Sequence, residues 1–262
     1  MTESSLFSAA FALYVAALVV YFAALFARRD AWDRAGLVLA MIGLALHTAA
    51  LILRTVSSGH APFTNMYESL SFLSWAVVVA LIVFGRKSRI ARLGPYLMLI
   101  VVALVALASS PLMPKGASPL VPALQSYWLW LHVSVTLLGE AFFAVAFVAS
   151  ILFLAAETEE KKQRLDALAY RAVAVGFPLF TLGGLIFGMV WAYRAWGRYW
   201  AWDPKEVWSL ITWFVFALYL HTRIVMGWKG RRSAWIAVAG FLAALFTYFG
   251  VNYLLAGLHS YV

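Results

Sequence analysis

The sequence predicts an all-α fold, a polytopic bundle of eight transmembrane helices with both termini on the outer side. Three observations predict it. Hydrophobic residues make up 65% of the chain and charged residues only 12%, with a mean hydropathy of +0.87, outside the range of soluble globular domains. Apolar runs recur at lengths near the roughly 20 residues that cross a hydrocarbon core, and they lack the alternation of a strand. Lysine and arginine gather in every second connection, the asymmetry that marks a cytoplasmic side.

The first run, 6–26, follows "MTESS" without the basic leader or small-residue cleavage site of a secretory signal, so it reads as a retained span. Runs 36–56, 67–84 and 93–109 come next; Glu68, at the start of the third, suits a helix N-terminus, where the dipole favours a carboxylate. The fifth, Tyr127–Ala155, exceeds the usual length and must tilt or protrude. Glu140 in its middle must face a cavity or a partner group rather than lipid. The sixth, 173–193, follows "ETEEKKQRLDALAYR", a solvated helical extension, and contains "GGLIFG", whose Gly184 and Gly188 lie four apart as close helix packing requires. Before the seventh, 207–226, Asp203 suits an N-cap, Pro204 the first helical position and Glu206 the carboxylate of a capping box. The eighth run is 235–253, and residues 1–262 read as a single integral membrane domain without an attached soluble one.

Of the 20 basic residues, fifteen fall on one side of this topology: Arg28, Arg29, Arg34, Arg86, Lys87, Arg89, Arg92, Lys161, Lys162, Arg164, Arg171, Arg223, Lys229, Arg231 and Arg232. That side is cytoplasmic. The net charge of +9 therefore reports topology, and no nucleic-acid partner is implied. With no cysteine in the chain, disulfides and thiolate ligands are excluded, and any thiol in a reaction belongs to another molecule.

The outer connection between the sixth and seventh runs, at about 194–206, reads "RAWGRYWAWDPKE". Trp196, Tyr199, Trp200 and Trp202 crowd it, interleaved with Arg194, Arg198 and Lys205. Interfacial anchoring also collects tryptophan, but such a belt spreads its rings over all the helices. A flat apolar platform edged by cations instead suits a porphyrin: the ring stacks on aromatic faces, the propionates pair with arginine or lysine, and the iron takes imidazole. Five histidines exist. His132 near the outer end of the fifth run and His259 in the outer tail share the side of the tryptophan loop. His60 sits in an outer loop and reads as solvated. His47 lies inside the second run, either lining a passage or packing, and His221 lies inside the seventh.

The segment "WGRYWAWDPKEVWSLITW", with "NMYES" upstream, a histidine after "LQSYW" and another in the tail, resembles the haem-handling protein family of cytochrome c maturation, which shares a tryptophan-rich WWD segment. The "WDPKE" and "WSLITW" continuation is similar to the CcsA (ResC-like) subunit branch of the System II cytochrome c synthase. The likeness runs from about the second helix onward.

The resemblance implies a haem lyase subunit of the bacterial cytoplasmic membrane. It would export haem b and attach it by thioether bonds to the CXXCH motif of apocytochrome c at an extracytoplasmic site, and would be active only with its partner. Carried onto this chain, His132 and His259 are the outer axial pair. Trp196, Trp200, Trp202 and Asp203 form the haem-binding segment, with Arg194 and Arg198 beside it. His221 is the inner histidine, completed by one from a separate ResB-like (CcsB) subunit, and His47 borders the route. The other implied partners are apocytochrome c and thiol-reducing proteins of the outer compartment. The alternative is a haem transporter or chaperone of the System I haem-handling type, without ligation activity of its own.

Overall fold

A computed structural model describes residues 2–27, 30–85, 93–113, 115–116, 120 and 124–258 of the chain. These residues form helices and their connections, with no strand among them. The chain divides into two compact units, Met1–Ser118 and Pro119–Val262.

The first unit contains α1 (Glu3–Ala27), α2 (Asp30–Ser58), α3 (Met66–Gly85) and α4 (Gly94–Ser109). Helix α1 packs on α2 and α4, and α3 on α4 and α2. Buried Tyr21 of α1 needs small neighbours. A Cβ at Gly36 of α2 would stand 2.9 Å from its ring, and one at Gly94 of α4 would collide with it. Two buried polar networks lie in its interior. His47 is wholly buried, with Nε2 2.9 Å from the Ser71 hydroxyl and Nδ1 3.3 Å from the Tyr14 hydroxyl. Glu68, in the first turn of α3 as the sequence indicated, is also a buried hub: it accepts from Arg54 Nε at 2.9 Å and from the backbone and hydroxyl of Thr64 at 2.9 and 2.8 Å.

The second unit contains α5 (Tyr127–Ala155), α6 (Glu159–Trp196), α7 (Pro204–Ile224) and α8 (Arg231–Leu254). Within α6 the segment Thr181–Phe187 has π-helical i→i+5 bonding, as does Phe246–Gly250 within α8. Helix α5 packs on α6 and α8, and α7 on the same two. Every residue from Gly139 to Ala146 is buried, so α5 is the central helix of this unit. It reaches α6 through reciprocal glycines: a Cβ on Gly139 would lie 2.8 Å from Phe180 N, and one on Gly176 would lie 2.9 Å from Gly139 O.

Among the described residues seven helices are long and apolar enough to cross a membrane, and α4, with 16 residues, is shorter. The polar "ETEEKKQRLDALAYR" is helical from Glu159 and joins the sixth apolar run without a break, so α6 extends to 38 residues. Asp166 in this extension pairs with Arg223 at the end of α7 and accepts from Gly230 N at 2.9 Å, which ties that end of the unit together. Close packing inside "GGLIFG" uses different glycines from the four-residue spacing. A Cβ on Gly183 would overlap the Thr136 backbone and one on Gly188 would lie 3.1 Å from the His132 ring, whereas Gly184 has only ordinary contacts. The physical reason is the π turn, in which Gly188 N–H bonds to Gly183 O and brings residues five apart onto one face.

A methyl group on Gly139 would meet only backbone atoms, and one on Gly176 would meet the Gly139 carbonyl and the buried Phe143 ring, so neither position has room for it. We expect Gly139→Ala or Gly176→Ala to lose about 1–3 kcal/mol through overpacking, read as an earlier thermal transition in detergent, while Gly184→Ala leaves that transition in place.

Candidate functional site

The candidate site lies at the end of the second unit where α5 and α7 begin and α6 and α8 end. Ser126 caps α5, its hydroxyl accepting from Trp128 N, and His132 follows in the second turn. Its Nδ1 lies 2.8 Å from Gly183 O. A carbonyl can only accept, so Nδ1 carries the proton and Nε2 holds the lone pair. The ring is further aligned by Trp191 of α6, stacked at 5.7 Å between centroids and 7° between planes. Trp191 in turn meets Trp196 edge to face at 4.8 Å. An oriented imidazole is thus linked by packed rings to the tryptophan loop.

Gly197 ends α6 in the left-handed region at φ 74°, its N–H bonding Tyr193 O at 2.9 Å. Among the described residues Trp202 is the only non-glycine with positive φ, at 58°, a conformation that costs about 1–3 kcal/mol. That backbone leaves the Trp202 side chain 71% exposed. Tyr193 and Tyr199 stack at 4.5 Å, whereas Trp200 and Trp202 meet at 88°. The loop therefore presents a corner of indole faces in place of the flat platform the sequence indicated. Arg194 and Arg198 are exposed beside it. Lys205 is not part of this rim: its Nζ donates to Asn252 Oδ1 of α8 at 2.8 Å. Glu140 is buried in central α5.

The start of α7 is the capping box read from "DPKE". Asp203 Oδ2 accepts from Lys205 N at 3.0 Å, and Glu206 Oε2 accepts from Asp203 N at 3.2 Å and from Ala201 N at 2.8 Å. The other oxygen of Asp203 accepts from Leu258 N in the tail at 2.6 Å. His259, the next residue, lies outside the described residues.

The remaining histidines are elsewhere. His221 is exposed in the last turn of α7, at the opposite end of the second unit. His47 belongs to the first unit, where both nitrogens have partners. His60, expected in solvent, is buried with Nδ1 3.0 Å from Ala61 O, because the loop around it folds inward and buries Ala61, Pro62 and Phe63. Its Nε2 has no hydrogen-bond partner among the described residues.

Sequence reasoning missed Trp191, Gly183 and Asn252, which orient the imidazole and anchor Lys205. A single chain offers little signal for a carbonyl acceptor. The run of aromatic residues from Trp191 into the loop was the one available sign. Chemically, the arrangement offers one imidazole lone pair, indole walls and two exposed guanidinium groups, a set suited to a planar metal-bearing ligand with anionic edges.

The family described as "Cytochrome C assembly protein" matches residues 63–259. The chain is similar to the cytochrome c biogenesis protein CcsA of Gloeobacter violaceus, 36% identical over 97% of this chain and 94% of the relative. It is also similar to that of Guillardia theta, 40% identical over 83% of each. Among solved structures it resembles the cytochrome c haem lyase CcmF at a TM-score of 0.74 and 20% identity, covering 95% of this chain and 47% of CcmF, so the likeness is one of fold.

Replacing Lys205 with Met leaves Asn252 Oδ1 without the ammonium donor that holds it. A loss of about 1–3 kcal/mol is expected, measured as a lower midpoint of thermal unfolding in detergent.

Proposed function

Because this chain belongs to the cytochrome c assembly protein family, we propose that it exports haem across the membrane and presents it at an outer bis-histidine site for attachment to apocytochrome c. The chain is a multi-pass membrane protein of cytochrome c biogenesis. The proposed topology has eight spans in the bacterial cytoplasmic membrane, with α4 as the short one, both termini outside and the tryptophan loop on the extracytoplasmic side. Haem b is the cargo, and a ResB-like (CcsB) subunit is the partner. Thiol-reducing proteins of the outer compartment keep the apocytochrome cysteines reduced.

The observation that carries this reading is the tautomer of His132. With Nδ1–H held by Gly183 O, Nε2 is the nitrogen able to bind iron, and a backbone acceptor behind a ligating imidazole is the usual device for fixing its orientation. Trp191 and Gly188 bracket the ring, which limits its rotation. His259 supplies the opposite axial ligand. Trp196, Trp200 and Trp202 take the macrocycle, and Arg194 and Arg198 take the propionates. His221, exposed at the other end of the second unit, is the inner ligand, completed by a histidine of the partner subunit. His47 lines the route only as a neutral, hydrogen-bonded residue.

The chain's contribution to the chemistry is positioning. Each thioether forms when a substrate thiol adds across a haem vinyl group: one C–S bond is made, the thiol proton ends on the neighbouring carbon, and no net oxidation or reduction occurs. The absence of cysteine from this chain means that its own residues do not compete for the vinyls. The histidine of the CXXCH motif then displaces one of the two axial imidazoles, and the product leaves.

Co-expression with the partner and an apocytochrome tests the reading. His132→Ala is expected to abolish covalent cytochrome c, seen by haem staining, and to weaken the bis-imidazole absorption bands, with partial recovery on adding imidazole. Normal maturation by this variant would remove the outer-ligand assignment, and haem binding without covalent product in the unmodified system would favour a transporter.

A further inference from the structure

An N-cap needs one side-chain oxygen, and Ser, Thr or Asn serves as well as Asp. Asp203 uses only Oδ2 for that purpose. Its Oδ1 reaches 55 residues along the chain to Leu258 N, at 2.6 Å. The approach is tight: a Cβ on Gly257 would lie 2.5 Å from the same oxygen and 3.1 Å from Pro204 Cδ. Asp203 is buried at 5% exposure, while the bond itself is part-buried; being charge-assisted, it is strong. One turn of helix before the tail, Asn252 is held separately: its Oδ1 accepts from Lys205 Nζ at 2.8 Å and its Nδ2 donates to Tyr248 O at 2.6 Å. Two consecutive charges of "DPKE", one on each side of Pro204, thus grip the end of α8 and the tail beyond it.

We infer that the Asp203 carboxylate is a latch on the C-terminal tail, and that it serves haem ligation as a positioning residue for His259. This rests on the reading of His259 as an axial ligand. It also gives the acidic residue of the tryptophan segment a role distinct from contact with the haem: both of its oxygens are engaged by backbone N–H groups. Two backbone donors approaching one side chain need two acceptor oxygens, so a carboxylate fits where an amide does not. In Asp203→Asn one acceptor becomes an NH2 group, which opposes an N–H donor. Asp203→Ser keeps a cap but cannot span to the tail.

Hydrogen–deuterium labelling of the Leu258 amide in the full-length protein reports tail release. Labelling is expected to speed up about tenfold in Asp203→Ser and Asp203→Asn, the factor lost with one charge-assisted hydrogen bond. Gly257→Ala, which leaves the cap intact, should act in the same direction. Unchanged labelling in all three overturns the latch.

Haem spectra of the co-expressed complex test the positioning role. His259→Ala and Asp203→Ser should lose the bis-imidazole bands alike and regain them with imidazole. Altered bands in His259→Ala with normal bands in Asp203→Ser would overturn the positioning role. Normal bands in both, with fast labelling, would remove the ligand reading and the positioning role together and uphold the latch alone.

Discussion

The hydrogen bond from His132 Nδ1 to Gly183 O is the contact on which the proposed chemistry depends. It exists because two helices approach with backbone nearly against backbone. A side chain at Gly139, Gly176 or Gly183 would separate α5 from α6, and a side chain at Gly188 would displace the imidazole itself. The π turn at Thr181–Phe187 shifts the helical phase so that Gly183 and Gly188 face α5 together. Packing of small residues thereby becomes chemical specification, since the carbonyl it exposes to His132 determines which ring nitrogen is basic.

Three cations are held by oxygen acceptors: Arg54 by Glu68 and Glu3 in the first unit, Arg223 by Asp166 and Lys205 by Asn252 in the second. Desolvation makes a charge costly when alone, so each joins segments that are distant in sequence. In the first unit polar networks close around Glu68 and His47. The second leaves rings and guanidinium groups exposed at one end and an imidazole exposed at the other. Open valence, and with it the proposed handling of a ligand, is concentrated in the second unit.

The tryptophan loop combines two kinds of constraint. Its end is a local capping motif, which any helix start could carry. Its centre includes Trp202 in a left-handed conformation, sustained by Asp203 immediately after it, whose three hydrogen bonds to Lys205 N, Leu258 N and the Glu206 carboxylate hold it in place. A strained residue displaying a largely exposed indole beside such an anchor is a pattern of ligand-contacting loops.

What the sequence by itself determined was whatever is written in neighbouring residues. Helices follow from apolar runs because backbone groups in lipid must bond within their own segment, and Tyr127–Ala155 emerges with the limits read from its run. The capping box follows from "DPKE" because its partners are three residues apart. The cytochrome c assembly family was legible because its long tryptophan motif is contiguous. Only the tertiary structure decided which way the polar groups turn. Lys205 looks like a rim cation in sequence and points to Asn252, 47 residues away. His60 looks exposed and is buried. Trp191 and Gly183, from another helix, orient His132. Each of these outcomes depends on which helices meet and in what rotational phase, and a single π turn changes that phase without leaving a mark in the hydrophobic pattern.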